Sequence, residues 1–330
     1  MTELQRWADA AQFRAAPMKT DGISVHLLWM TPDPLGAIAA ACRMYEGHPT
    51  YSLHDITDDD RAHYWEQVQK THLKAPLEFV KFHFFIEGVD RAFTHQMVRQ
   101  RTAVYAQESM RFAVKDNLAA ETPLPPSLHG LAEDDPRVVI WQRELLRIQD
   151  AYTALVNNGV PSEDARGLLP HATTTRLNYA TDLRALLDHA GNRLCTQAQY
   201  HWRVVFTQMA QAISHFLGDD YARQTGGHPD DMPIPEKEWQ FHEVAQMFRP
   251  VCYQMGKCPF KADFDRGCTI RERVDAFAAE GVPSSQWHDD SWMTSEHDHL
   301  AAIDPAEWML NPDAARVKAG DRYGDQTGRQ

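Results

Sequence analysis

The stretch from Phe79 to Glu87 constrains the fold more than any other. Val80, Phe82, Phe84 and Ile86 recur at period two, so an extended segment here has one apolar face that must be buried. From Val89 to about Gln100 the spacing becomes helical, with Phe93, Met97 and Gln100 along one side. Thr102 to Phe112 has few helix signals and reads as an irregular or extended crossing.

The flanking chain repeats this mixture. Ile23 to Met30 reads as a strand, and Leu35 to Tyr45 as a helix after the breaker Pro32-Asp33-Pro34. Thr57, followed by three aspartates, predicts a capped helix running to about Thr71, with acids at the positive end of its dipole. Val138 to Val156 reads as a long amphipathic helix, and Pro161 to Leu169 as a short one stopped before Pro170. Ala172 to Ala180 reads as a strand. Leu183 to Ala190 and Thr196 to Leu217 read as helices. Pro123 to Pro126 and Gly226 to Pro235 read as linkers. This order predicts an α+β fold, an antiparallel-type sheet with packed helices, rather than a doubly wound parallel sheet.

The chain has 330 residues, enough for a sizeable core, and a formal charge of −13. Such an acidic balance argues against non-specific binding to nucleic acid or to membrane surfaces. The first residues carry no apolar signal region, and the run near Leu35 to Cys42 is too short to span a bilayer. A cytoplasmic location is the resulting expectation, and the five cysteines fit a reducing compartment.

Against that acidity, Val89 to Phe112 holds four arginines (Arg91, Arg99, Arg101, Arg111) and two acids (Asp90, Glu108). A local arginine excess suggests a pocket for an anion, because the guanidinium fork matches phosphate at two points. Gln96 and Arg99 would share a helix face, and the helix would end between Arg99 and Arg101. Gln107, Ser109 and Arg111 alternate, so an extended segment would present all three on one side. No general base adjacent to Ser109 is visible in the sequence, which fits hydrogen bonding better than nucleophilic attack. The bland alternative is that these arginines form surface ion pairs and that Ser109 is a turn hydroxyl.

Arg99-Gln100-Arg101, seven residues, then Ser109, resembles the flavin-dependent thymidylate synthases, whose signature is Arg-His-Arg, seven residues, Ser. Arg111-Phe112 and the lead-in Phe93-Thr94-His95-Gln96 match as well. A second block is also similar: Leu169-Pro170-His171-Ala172-Thr173-Thr174, then Arg184, Arg193 and Ala198-Gln199. The likeness covers roughly residues 23 to 217. It implies a catalytic domain over 23–222, between an N-terminal segment (1–22) and a C-terminal extension of unknown role (223–330).

The resemblance also implies a homotetramer with active sites between subunits, FAD as cofactor, and dUMP as the pyrimidine nucleotide. Methylene-tetrahydrofolate would be the carbon donor and NADPH the reductant. By the same resemblance Gln96, Arg99, Gln107, Glu108, Ser109 and Arg111 meet the nucleotide, and Arg166 and Arg193 help to bind its phosphate or base. Ser109, with Arg193, would act in catalysis by polarising the substrate. The flavin side would comprise His72, Glu78, Arg99, Gln100, Arg101, Asp182, Arg184 and Asp188.

Four positions depart from the family pattern. Gln100 replaces the signature histidine and cannot carry a positive charge. Gln107 stands where a glutamate is usual, and Asp182 and Asp188 where asparagines often help to hold FAD. Arg184 and Asp188, four apart, also suggest a simple helix-surface ion pair. These departures motivate an alternative in which a methyl or hydroxymethyl group is placed on a variant nucleotide (dUMP, dCMP or UMP). A second alternative is a non-catalytic nucleotide-binding or assembly protein.

Cys252, Cys258 and Cys268, with His242 upstream, form a weak zinc pattern that lacks any CxxC pair; free cysteines are the plainer reading. The seventeen histidines, His83, His189 and His201 among them, are scattered and read mostly as core or surface residues.

Overall fold

A computed structural model describes residues 22–115, 117–125, 128–129, 131–195, 198–214, 216 and 239–255, with 259, 276 and 279–281 beyond them. The expected α+β architecture is present. Four antiparallel strands, β1 (Ser24–Met30), β2 (Lys81–Asp90), β3 (Val104–Gln107) and β4 (Thr174–Asp182), lie in the order β1-β2-β4-β3.

The alternation in β2 sets the inner face. Val80, Phe82, Phe84 and Ile86 are all 1% exposed or less, opposite Thr181, Tyr179 and Leu177 of β4. Val89, expected to open a helix, instead pairs within β2, one residue before its end. A bulge between Ile86 and Val89 shifts the register, and Gly88 makes it possible with φ +74°. A Cβ at Gly88 would lie 1.9 Å from the Gly22 carbonyl oxygen, so no other residue fits there without backbone movement.

Helices cover the inner face of the sheet. These are α1 (Pro34–Tyr45), α2 (Asp58–Lys70), α7 (Leu183–Arg193) and α8 (Tyr200–Ser214), which together with α9 (Trp239–Ala245) enclose the main core. Thr57 closes a reciprocal capping box with Asp60 at the start of α2. Arg61, 2% exposed, ties α2 to α1 through Asp33 and to the Ile56 carbonyl. Phe241, Val244, Ala245 and Phe248 join the same core.

A second, smaller core of Met110, Leu118, Tyr152, Ala165 and Leu169 lies beneath α4 (Leu118–Glu121), α5 (Pro136–Asn157) and α6 (Ser162–Ala165). It carries the chain from Ser109 to Arg166. Helix α3 (Arg91–Met97) and the short α10 (Val251–Met255) complete the helices discussed. Among the described residues no helix is long and apolar enough to cross a membrane. The expected linker at 226–235, Cys258 and Cys268, and the predicted ends at Thr196 and Leu217 lie outside the described residues.

Candidate functional site

The site begins where α3 stops. Asp90 caps α3 through the Phe93 amide at 2.6 Å, and the helix ends at Met97, so Arg99 and Arg101 both lie in the turn beyond it rather than on either side of its end. Gln100 fixes that turn. Its Oε1 accepts from the Tyr179 hydroxyl at 2.8 Å, and its Nε2 donates to the Ala185 carbonyl at 3.1 Å. Tyr105 donates to the carbonyls of Met97 and Gln100 at 2.8 and 3.0 Å. Burial pushes the Tyr105 phenol up to about 12 and Tyr179 higher still, so both remain hydroxyl donors.

The turn faces the start of α7 across a cavity of about 510 Å3, within the range of small-molecule sites. Six of the residues expected on the flavin side line it: Glu78, Arg99, Gln100, Asp182, Arg184 and Asp188. Thr102, Ala185 and His189 join them. Of the remaining two, His72 is exposed in the turn after α2 and Arg101 is exposed beside the site; neither lines the cavity.

Much of the charge is already committed. Asp182 caps α7 through the Ala185 amide at 2.9 Å and pairs with Lys81 at 3.3 Å. Arg184 pairs with Glu78 at 2.5 Å, which replaces the expected Arg184–Asp188 pair. Glu78 projects from a 3-10 turn (Ala75–Phe79) packed against α7, a neighbour that helix spacing alone does not reveal. The Arg99 guanidinium makes no hydrogen bond or ion pair among the described residues.

His189 went unnoticed in the sequence as anything but a scattered histidine. It sits one turn before Arg193, and burial together with that guanidinium brings it down to about 4, so it is neutral at pH 7. The available signal was its place beside Asp188 and at i,i+4 to Arg193 on one helix.

Of the residues expected around the nucleotide, Arg99 lines this cavity and the others do not. Gln96 accepts from Trp202 Nε1 at 3.0 Å and donates to Gln199 at 2.8 Å. Arg193 stacks over Trp202 at 4.4 Å with a buried, unpartnered Nε, and desolvation lowers its pKa. Gln96 therefore does not line the cavity with Arg99 but joins Arg193 around one indole. Gln107 ends β3, where its Nε2 donates to Thr94 at 2.9 Å and reaches Thr175 at 3.4 Å.

Gln107, Ser109 and Arg111 do not share one extended face. The register with β4 ends at Gln107, and the Ser109 carbonyl accepts from the amides of Phe112 and Ala113, which turns the chain. Ser109 Oγ accepts from the Arg111 amide at 3.3 Å, while the Arg111 side chain pairs with Glu163 at 2.8 Å. Glu108 is held by Lys115 and Arg176 at 3.6 and 3.7 Å. Arg166 is exposed, with its Nε donating to the Glu163 carbonyl, and lies near enough to Arg91 to lower the latter's pKa, after burial. No group of three or more candidate metal ligands occurs among the described residues; Cys252 is buried.

These elements make an antiparallel α+β domain in which an arginine-bearing turn faces a capped helix across a cavity. A family model described as thymidylate synthase complementing protein matches residues 26–217, more than half of the chain, and the chain belongs to that family. Among curated relatives, the flavin-dependent thymidylate synthase of Geobacter sulfurreducens is 32% identical over 193 residues, covering 58% of this chain and 82% of that protein. That of Pyrococcus furiosus is 30% identical over 255 residues, covering 76% and 95%. A solved structure of flavin dependent thymidylate synthase ThyX from Helicobacter pylori, complexed with FAD and dUMP, is 19% identical. It covers 59% of this chain and 94% of that one, with a TM-score of 0.43.

Proposed function

We propose that this protein transfers a one-carbon unit from methylene-tetrahydrofolate to C5 of a pyrimidine nucleotide, converting dUMP to dTMP, with FAD in the cavity and NADPH as reductant. The observation that carries the reading is that two distant blocks, 99–102 and 182–189, close on one cavity and leave the Arg99 guanidinium without a hydrogen bond or ion pair among the described residues. Membership of the family and the names of its curated relatives support the same reaction.

The residues suit FAD. Arg99 supplies a cationic donor for a diphosphate, while Arg184 is already paired with Glu78, and Asp182 and Asp188 add negative charge to the same lining. The clamped Gln100 and the neutral His189 leave fixed polar atoms beside a flat ring. Flavin, when bound, supplies the hydride chemistry that completes reduction of the transferred carbon. The chain's own part is to bind and orient. Arg111, Arg166 and Arg193 would hold the nucleotide's phosphate or base, and Ser109 would hydrogen-bond the ring. Gln96, Gln107 and Glu108 would fix its surroundings, in a homotetramer whose sites lie between subunits. Their separation within one chain accords with such shared sites. Positioning and preorganised electrostatics would supply the rate advantage.

Loading with FAD tests the reading. The protein should turn yellow, and its flavin spectrum should bleach with NADPH. A protein that takes up no FAD would instead favour a nucleotide-binding or assembly role.

A further inference from the structure

His189 is a cavity side chain whose contacts, among the described residues, leave its hydrogen-bonding chemistry unused. Its Nδ1 is buried without a hydrogen-bond partner among the described residues. Its ring is fixed by edge-on contacts with Trp202 (centroids 4.9 Å apart, 76° between planes) and Phe206 (5.7 Å, 82°) on α8. The residue nevertheless lines the cavity. With Nδ1 sealed inside, Nε2 is the nitrogen left to the cavity.

This asymmetry chooses the tautomer. A neutral imidazole carries one N–H and one lone pair. An orphaned buried N–H is rarer in proteins than an under-satisfied acceptor, and leaving either group unmet is costly. The proton therefore belongs on Nε2, where a ligand can meet it, and the lone pair on Nδ1, inside. Two aromatic edges prevent the ring from turning over to exchange the two nitrogens.

We propose that His189 presents a fixed Nε2–H donor to an acceptor atom of the ligand that fills this cavity, and so helps to select that ligand. The tautomer follows from the packing alone; the ligand's identity rests on the flavin reading given above. A flavin offers acceptors of one chemistry from two sources, the ring carbonyls and nitrogens or the diphosphate oxygens.

Two measurements on the full chain test this. Nitrogen-15 NMR of histidine-labelled protein, assigned with His189→Phe, should show the Nε2–H pattern for His189 from pH 8 down to about 5, since its second proton is bound only near pH 4. An Nδ1–H pattern, or an imidazolium at pH 7, overturns the proposal.

Flavin titration is the second measurement. His189→Phe keeps the aromatic packing and loses the donor, and should bind FAD about ten-fold more weakly, the worth of one hydrogen bond at the upper end of the neutral range. His189→Gln, whose amide nitrogen reaches about as far as Nε2, should recover most of that loss. An equal loss for riboflavin places the acceptor on the ring; a loss seen with FAD and FMN but not riboflavin places it on a phosphate, and one confined to FAD places it on the part of FAD beyond that phosphate. His189→Phe that keeps the wild-type melting temperature and binds FAD as tightly as wild type overturns this proposal alone. Wild-type protein that takes up no flavin overturns the flavin reading and the proposed ligand together.

Discussion

Replacing Gln100 with leucine removes the clamp that shapes the cavity wall. Tyr179 is fully buried, and its hydroxyl donates to Gln100 Oε1; the leucine offers no acceptor there. Stranding one buried hydroxyl costs about 1–3 kcal/mol. The second lost bond, to the Ala185 carbonyl, adds little, because that carbonyl also serves the α7 ladder. Gln100→Leu should therefore lower unfolding stability by about 1–3 kcal/mol, or about 2–4 °C in melting temperature per kcal/mol. It should weaken FAD binding at the same time, because the Arg99 turn loses its tie to α7. Gln100→His is the control: a neutral imidazole accepts at one nitrogen and donates at the other, so it can meet both partners. Urea unfolding with a parallel flavin titration checks both effects. The reasoning fails if Gln100→Leu lies within about 0.5 kcal/mol of wild type, the range of an uninvolved surface change. It fails equally if Gln100→His is as damaging as the leucine.

Other perturbations follow from the same contacts. Arg99→Ala should weaken FAD binding by about ten- to a hundred-fold, the range of a charge-assisted hydrogen bond, and the wild-type affinity should fall with added salt; isothermal titration at two ionic strengths checks this. Gly88→Ala forces a side chain at φ +74° into the Gly22 carbonyl, so it should cost at least about 2 kcal/mol and be visible as a lowered denaturation midpoint. His189 titrates lower in the folded protein (about 4) than in the unfolded chain (6.5). Stability is therefore complete above about pH 6.5 and is lost as pH falls toward 4, by at most about 3 kcal/mol. His189→Phe should flatten that part of the stability–pH curve.

Local signals in the sequence were legible. Thr57 and Asp60 form their capping box from neighbours alone, and the period-two face of β2 needed only one core to bury it. Junctions were less so. Val89 satisfies both the strand and the helix spacing, and the bulge at Gly88 decides in favour of the strand. The alternation of Gln107, Ser109 and Arg111 carries no information on where pairing ends. The register ends at Gln107, with one further bond from the Glu108 amide to the Arg176 carbonyl, before the Ser109 carbonyl captures the next turn. Arg184 pairs with Glu78, 106 residues away, in preference to its helical neighbour Asp188, a competition invisible to i,i+4 reasoning. On the flavin side the motif located most of the cavity wall, since residues in two short blocks need only one strand pairing to meet. His189 escaped notice because its role depends on Trp202 and Phe206, which nothing in the sequence places against it.

Product analysis tests the central claim most directly. Purified protein is incubated with FAD, NADPH, methylene-tetrahydrofolate and, in separate reactions, dUMP, dCMP and UMP, and each product is identified by mass spectrometry. The account predicts dTMP from dUMP, lost when FAD is left out. Unchanged nucleotide in all three reactions by a flavin-loaded protein, or a modified product from dCMP or UMP alone, contradicts it.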